Sequence, residues 1–281
     1  PVAFTFSGGP TFTYNGTSKS IVAAPSPANA TYTPGGTWTA TNAGSYTATA
    51  TGSGNYTGSG SYNWTIAKAS QGTLTLGAAS TQDNGTAQTL SSSGGSGTGA
   101  VSYAIVAQSA SGVATLSGAT LTANASSGWV DVRASKGADP NYMAQTSATV
   151  RVTFAARATT FAFSGGPGFV YDGSPKSVTA TPSLSGATYT QGGTWVATNV
   201  GSYIATATAS GAYAGSGSYS WSIAKANQAT LSLLAVGTQP YATSQSLATS
   251  GGSGSGAVTY AIVSQSAAGV ATLSGTTLMA N

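Results

Sequence analysis

The sequence predicts an all-β chain built from tandem β-sandwich modules in an extended array. Three observations carry that reading. Apolar and polar residues alternate with period two over most of the chain, as half-buried strands require. Turn dipeptides break the alternation at short intervals: Asn15-Gly16, Gly35-Gly36, Asn84-Gly85, Gly94-Gly95 and Asp172-Gly173. The whole pattern then recurs at a fixed spacing, the signature of a repeat architecture.

In chain order, the first strands are Phe4-Thr-Phe6 and Phe12-Thr-Tyr14. Tyr46 to Thr51 puts Tyr46, Ala48 and Ala50 on one face and threonines on the other. Tyr62-Asn-Trp64-Thr-Ile66 repeats the alternation with bulkier side chains. Leu74-Thr-Leu76, Val101-Ser-Tyr103-Ala-Ile105 and Val150-Arg-Val152-Thr-Phe154 follow. Asn-Gly and Asp-Gly supply the positive φ of tight hairpins. No amphipathic helical stretch interrupts the series, and short strands with frequent turns predict immunoglobulin-like sandwiches.

The repeat is long. Phe6-Ser-Gly-Gly-Pro10 returns as Phe163-Ser-Gly-Gly-Pro167, Trp38 as Trp195, Trp64 as Trp221 and Tyr103 as Tyr260. Residues 1–124 and 158–281 align without a gap, with 81 of 124 positions identical. Lys68-Ala69 and Lys225-Ala226 each close a Trp-x-Ile strand and precede a change of pattern. The expected modules are 1–68, 69–157, 158–225 and 226–281. The last has no counterpart of Trp129–Ala134 or Ala148–Phe154, so an open core and unpaired edges are expected there. Two readings stay open: a window on a longer polypeptide, or completion by a strand from a neighbouring chain. The chain begins at Pro1 and shows no signal peptide, which is read as a processed or excised segment.

Trp38, Tyr46, Tyr56, Tyr62 and Trp64 are the expected core aromatics of the first module. Trp195, Tyr203, Tyr213, Tyr219 and Trp221 match them in the third. The alternative is a carbohydrate-stacking platform. Trp129, beside the Val130/Val132 alternation, is placed facing outward.

Composition bounds the chemistry. Only 4% of residues are charged, against roughly 25% in an average soluble domain. With 14 Tyr, 5 Trp and 7 Phe, the chain is not the aromatic-poor type that stays disordered. Low charge is read as solvent faces made of Thr, Ser and Asn. The net charge is +4, but Lys and Arg form no run, so a nucleic-acid partner is not expected. No stretch reaches the roughly 18 apolar residues of a spanning helix, so no membrane insertion is expected within this segment. Cys is absent, which is compatible with export.

The chain has no His, no Cys and no Glu, and its four Asp are scattered. That leaves no imidazole base, no thiolate, no zinc–thiolate site and no carboxylate pair. No enzyme, catalytic residue, cofactor site or metal site is expected. Several weaker motifs are read as structural. Asp131 and Asp139 could meet across a hairpin at a calcium site, but surface pairing with Arg133 or Lys136 is preferred. Gly94-Gly-Ser-Gly97 lacks the Lys and helix of a phosphate loop and is read as a hairpin or linker. Lys19 and Lys176 could form isopeptide cross-links with a buried Asn or Asp, but such bonds usually need a neighbouring acid to assist and Glu is absent, so none is expected. The Thr rows at 47–51 and 206–208 are read as ordinary strand faces. Asn-x-Thr/Ser triplets such as Asn55-Tyr-Thr are what such a composition produces by chance.

Tyr14-Asn-Gly-Thr-Ser-Lys19 and Tyr171-Asp-Gly-Ser-Pro-Lys176 resemble the opening of bacterial MBG-type (YDG) repeats. Thr41-Asn-Ala-Gly-Ser-Tyr46, Gly54-Asn-Tyr56 and Thr65-Ile-Ala-Lys68 match later parts of that pattern. The second copy keeps Thr198-Asn-Val-Gly-Ser-Tyr203 and has Ala212 in place of Asn55. Residues 93–103 and Gly137-Ala-Asp-Pro-Asn-Tyr142 are similar to Ig-like repeats that alternate with MBG-type ones. The resemblance implies a secreted or surface-anchored bacterial protein, such as an adhesin, and no catalytic residues. Three functions follow: the structural shaft of an adhesin or extracellular fibre, a self-assembling filament subunit, and a glycan-binding adhesion module. The matching partners are neighbouring modules of the same long chain, identical chains, and a cell-surface glycan.

Overall fold

The computed structural model describes residues 1–281, and the chain is all-β, with strands and turns but no helix. It divides into two compact units. One comprises Pro1–Phe161, Pro182–Thr190 and Thr208–Ser216. The other comprises Ala162–Thr181, Gln191–Ala207 and Gly217–Asn281.

In the first unit, residues 1–68 form a four-stranded sheet in the order Thr11–Thr13, Ser59–Ala67, Gly44–Gly52, Tyr32–Gly36. Ala3–Ser7 pairs with Val22–Ser26 in a separate layer. The two long central strands are antiparallel, with Tyr46 opposite Trp64 and Ala48 opposite Tyr62. Ile21, Ala48, Trp64 and Ile66 are buried, and Phe6, Phe12, Trp38, Tyr46 and Tyr62 pack around them. Small Ala opposite large aromatics lets the layers interdigitate. The buried indole of Trp64 donates its Nε1–H to the Thr37 carbonyl at 2.9 Å, so its polar edge is satisfied. The Tyr46 hydroxyl donates to the Asn42 carbonyl at 2.7 Å. This local bond back to upstream backbone is the tyrosine corner of immunoglobulin-type sandwiches, and it explains the Thr41-Asn-Ala-Gly-Ser-Tyr46 motif.

The strands between Leu74 and Ala155 form a larger sandwich. One sheet runs Thr81–Asp83, Val150–Ala155, Trp129–Lys136, Val101–Gln108. A second holds Ala87–Thr89, Thr120–Ala123 and Ala114–Ser117, and Leu74–Gly77 pairs with Ser91–Gly94. Leu74, Leu76, Leu90, Leu121, Val130, Val132, Val152 and Phe154 fill the space between them. Period-two alternation is plain in Trp129–Lys136, where Val130, Val132 and Ala134 point inward.

The second unit repeats the first core. Val178, Ala205, Trp221 and Ile223 are buried, with Phe163, Trp195, Tyr203 and Tyr219 against them. The Tyr203 hydroxyl reaches the Asn199 carbonyl at 2.7 Å, and Trp221 Nε1 reaches the Thr194 carbonyl at 2.9 Å. Residues 226–281 form only short strands. Leu231–Leu233 pairs with Thr249–Gly251, and Thr277–Ala280 pairs with Ser244–Ser246 and Ala271–Ser274. None of these residues is buried.

Two expectations need correction. Tyr56 and Tyr213 are half-buried and lie outside the aromatic cores, because each follows a turn at the end of a long strand instead of alternating within it. The Asn-Gly and Asp-Gly dipeptides do have glycines at positive φ (Gly16 79°, Gly85 73°, Gly173 80°), but they close no hairpins. Asn84-Gly85 lies between Thr81–Asp83 and Ala87–Thr89, which belong to different sheets. Asn15-Gly16 likewise follows a strand paired with Ser59–Ala67 and precedes one paired with Thr39–Ala40. The Asx-type bonds from the Thr17 and Ser174 backbone N–H groups to Asn15 and Asp172, at 3.1 and 2.9 Å, stabilise these corners.

Candidate functional site

The densest polar arrangement lies where residues 1–68 meet residues 69–157. Gly137 to Met143 leaves the end of strand Trp129–Lys136 and folds back against both stretches. Its geometry starts with Asp139. One carboxylate oxygen accepts from the Thr98 backbone N–H at 2.6 Å, and the other from those of Asn141 and Tyr142, both at 2.8 Å. These donors, the Thr98 bond foremost, hold the Asp139 carboxyl below the usual carboxylate range, and the charge of Lys68 adds to the effect.

The loop so fixed makes four contacts with residues 1–68. The Asn141 side chain accepts from the Ala43 backbone N–H at 2.9 Å and donates to the Asn42 side chain at 3.1 Å. Lys68 Nζ donates to the Asp139 carbonyl at 2.7 Å. Tyr142 meets Tyr14 edge to face, with ring centroids 5.3 Å apart and planes at 81°. The connection itself is tied as well. Ala69 donates to the Asn141 carbonyl, and Met143 donates to that of Ala69, both at 2.9 Å. Below the loop, the buried Gln71 side chain donates to the carbonyls of Gly137 at 2.9 Å and Met143 at 2.8 Å.

Two glycines let the loop sit so close. A Cβ on Gly97 would collide with the Asp139 carboxylate, and one on Gly99 with the Gly137 carbonyl. Gly94-Gly-Ser-Gly97 is therefore neither phosphate loop nor free linker. It ends a strand and forms one wall of this seam. The Asp139 carboxylate, the Lys68 amine and the Asn141 amide of the arrangement are all engaged in these bonds. What it can do is hold two sandwiches together by directional bonds, few of which depend on ionic strength.

The remaining motif residues lie apart from it. Asp131 and Asp139 do not meet. Asp131 forms a two-pronged pair with Arg151, at 2.8 and 3.0 Å, which lowers its carboxyl pKa. The preferred pairing with Arg133 or Lys136 is thus corrected: Arg151 stands directly opposite Asp131 on the neighbouring strand. Arg151 also covers Trp129, its guanidinium carbon 3.7 Å from the ring centre. Trp129 is half-buried on that outer face. Lys19 donates to Thr17 at 2.9 Å, and Lys176 pairs with exposed Asp172. Thr47 and Thr51 are exposed beside buried Ala48 and Ala50. No group of three or more His, Cys, Asp or Glu side chains comes together.

Sequence reasoning identified Lys68-Ala69, Thr41–Tyr46 and Gly137–Tyr142 as separate motifs and missed that they converge. The available signal was Asn42 and Lys68 recurring as Asn199 and Lys225, polar positions with no place in a core.

No family model matches the chain, and no curated protein matches it. Among solved structures it is similar to the protocadherin GammaB4 extracellular domain, at 14% identity over 80% of this chain and with a TM-score of 0.27. It is also similar to Drosophila N-cadherin EC1-4, at 13% identity over 84% of this chain and 74% of that one, TM-score 0.27. A protocadherin gammaB7 EC3-6 cis-dimer structure aligns at 13% identity over 79% and 77%, TM-score 0.27. The chain spans about half, 51%, of the protocadherin GammaB4 structure.

Proposed function

We propose that this chain is a structural, non-catalytic repeat segment of a secreted or cell-surface bacterial protein. In this reading four Ig-like modules, 1–68, 69–157, 158–225 and 226–281, serve as the shaft of an adhesin or extracellular fibre. The first and third are of the MBG type. The seam carries the proposal. Asn42, Lys68 and Asn141 spend polar groups on joining two sandwiches, Tyr142 adds a ring contact with Tyr14, and Asp139 fixes the loop that carries them, which is what a repeat under tension needs and a ligand pocket does not. Trp38, Tyr46, Tyr62 and Trp64 pack into one core and their counterparts Trp195, Tyr203, Tyr219 and Trp221 into another, which favours a shaft over a glycan-stacking platform.

Electron microscopy of the native material, with intact mass measured on the same sample, tests the proposal. Thin single-chain rods that lengthen with mass are expected. Multi-chain filaments of subunits near 27.2 kDa would replace the shaft by self-assembly.

A further inference from the structure

Asn-Gly occurs twice in the chain, at Asn15-Gly16 and Asn84-Gly85. The pair has its own chemistry. The backbone nitrogen that follows an asparagine can attack its side-chain amide carbon, and glycine has no side chain to obstruct the approach. Elsewhere the residue after asparagine is Ala, Tyr, Trp, Val or Gln, whose side chains crowd that nitrogen.

The fold treats the two pairs differently. Asn15 and Gly16 are both exposed. Gly16 has nothing within 4 Å of the position of a Cβ, and its N–H donates to no acceptor in the chain. The Asn15 side-chain oxygen accepts from the Thr17 backbone N–H at 3.1 Å and from the Thr17 hydroxyl at 2.6 Å. Two donors on that oxygen polarise the amide carbon and stabilise the oxyanion that attack creates. Asn84, by contrast, is half-buried, and the nitrogen after it is tied. The Gly85 N–H donates to the Ala123 carbonyl at 2.9 Å, and the Asn84 N–H to that of Ala155 at 2.8 Å. A nitrogen whose hydrogen is held by a carbonyl must break that bond before it can attack.

The repeat shows what a carboxylate does at this corner. The counterparts of Asn15, Gly16 and Lys19 are Asp172, Gly173 and Lys176. There Lys176 Nζ donates to the Asp172 carboxylate. In the first corner Lys19 Nζ donates to the Thr17 hydroxyl at 2.9 Å. A carboxylate at position 15 stands as far along the chain from Lys19 as Asp172 does from Lys176.

We infer that Asn15 is a modification site, at which the chain deamidates without an enzyme and so acquires the charge pair of the second corner. The Gly16 nitrogen loses its proton and attacks Cγ of Asn15. A bond from that nitrogen to Cγ forms, the bond from Cγ to the side-chain nitrogen breaks, and ammonia leaves. The succinimide so formed takes up one water. Opening at one carbonyl gives aspartate and at the other isoaspartate. Each event consumes water and releases ammonia, with nothing oxidised or reduced, and the net charge of +4 falls by one. Asp172 does not follow the same course, because Lys176 keeps its carboxyl ionised and therefore a poor electrophile. The modification does not depend on whether the chain is a shaft.

The test ages the intact chain at mildly alkaline pH and follows both sites by peptide mass spectrometry. The peptide holding Asn15 should gain the mass difference between an amide and an acid at least about fivefold faster than the peptide holding Asn84. In denaturant, which frees Gly85, the two rates should converge. Asn15→Asp supplies one product directly. Its new carboxylate should titrate below the ordinary carboxylate range, and adding Lys19→Gln should bring it back. Retention of the Asn15 amide overturns the inference, as does conversion of Asn84 at an equal or faster rate in the folded chain. A carboxylate at position 15 that is indifferent to Lys19→Gln overturns the charge pair. Loss of ammonia without uptake of water, persisting in alkali, also overturns the inference, in favour of an amide cross-link between Asn15 and Lys19.

Discussion

Asn141 donates a hydrogen bond to the side chain of Asn42, 99 positions earlier, at 3.1 Å, while accepting one from the neighbouring Ala43 backbone at 2.9 Å. One uncharged side chain thereby satisfies two groups of another sandwich. Asn141→Ala removes both bonds and leaves the Ala43 N–H without its acceptor, which costs about 1–3 kcal/mol. Asn141→Asp keeps the bond to Ala43 and loses the one to Asn42. Denaturant unfolding should rank the two variants in that order.

Asp139 gives the seam an acid limit. Its carboxyl sits below the ordinary carboxylate range, so its contribution is fully present above the unfolded value, about 4, and is lost as pH falls through the folded value. The same sign holds for Asp131, held down by Arg151, and Asp172, held down by Lys176. With no His in the chain, stability should be flat between pH 5 and 8 and fall below about pH 4. In Asp139→Asn the acid-induced rise in amide exchange at Thr98 should disappear.

The buried tryptophans set the stability of their cores. Trp64→Ala should cost about 3–5 kcal/mol, measured as a shift in the denaturation midpoint, because it empties the centre of a cluster that Tyr46 and Phe12 line. Trp221→Ala should do the same to the second core, where Tyr203 and Phe169 occupy matching places.

Tyr46→Phe deletes only the corner bond to the Asn42 carbonyl and should cost about 1 kcal/mol. It should also loosen the backbone that carries Asn42 to Asn141. Tyr203→Phe should cost about the same at its own corner while leaving the seam of the first unit unchanged.

Gly99→Ala and Gly256→Ala are the same substitution at equivalent positions. The first drives a methyl into the Gly137 carbonyl and should destabilise by about 1–3 kcal/mol. The second meets open space and should stay within about 0.5 kcal/mol. Thermal melts of the two variants compare them directly.

Much of the fold was legible because its strands are local. Tyr46–Thr51 and Tyr62–Ile66 alternate cleanly, and the alternation alone places Ala48 and Trp64 inside. The turn dipeptides were legible in conformation only. Positive φ at Gly85 is a local property, but whether the chain then pairs with itself or crosses to another sheet depends on which distant strand offers an edge. The seam was illegible for the same reason. Asn42 and Asn141 carry no pattern of period two or of charge, and their meeting is fixed by how two sandwiches abut. Asp131 misled because sequence proximity favours Arg133, whereas Arg151 stands directly opposite Asp131 on the neighbouring strand and pairs across the ladder.

Amide hydrogen exchange on the intact chain, with and without Asn141→Ala, tests the seam most directly. The account predicts faster exchange on both sides: in Gly137–Met143, and across the seam at Ala43 and along the Gly44–Gly52 strand. Changes confined to residues 137–146 would show that the two sandwiches merely touch, and would contradict a structural role for the joint.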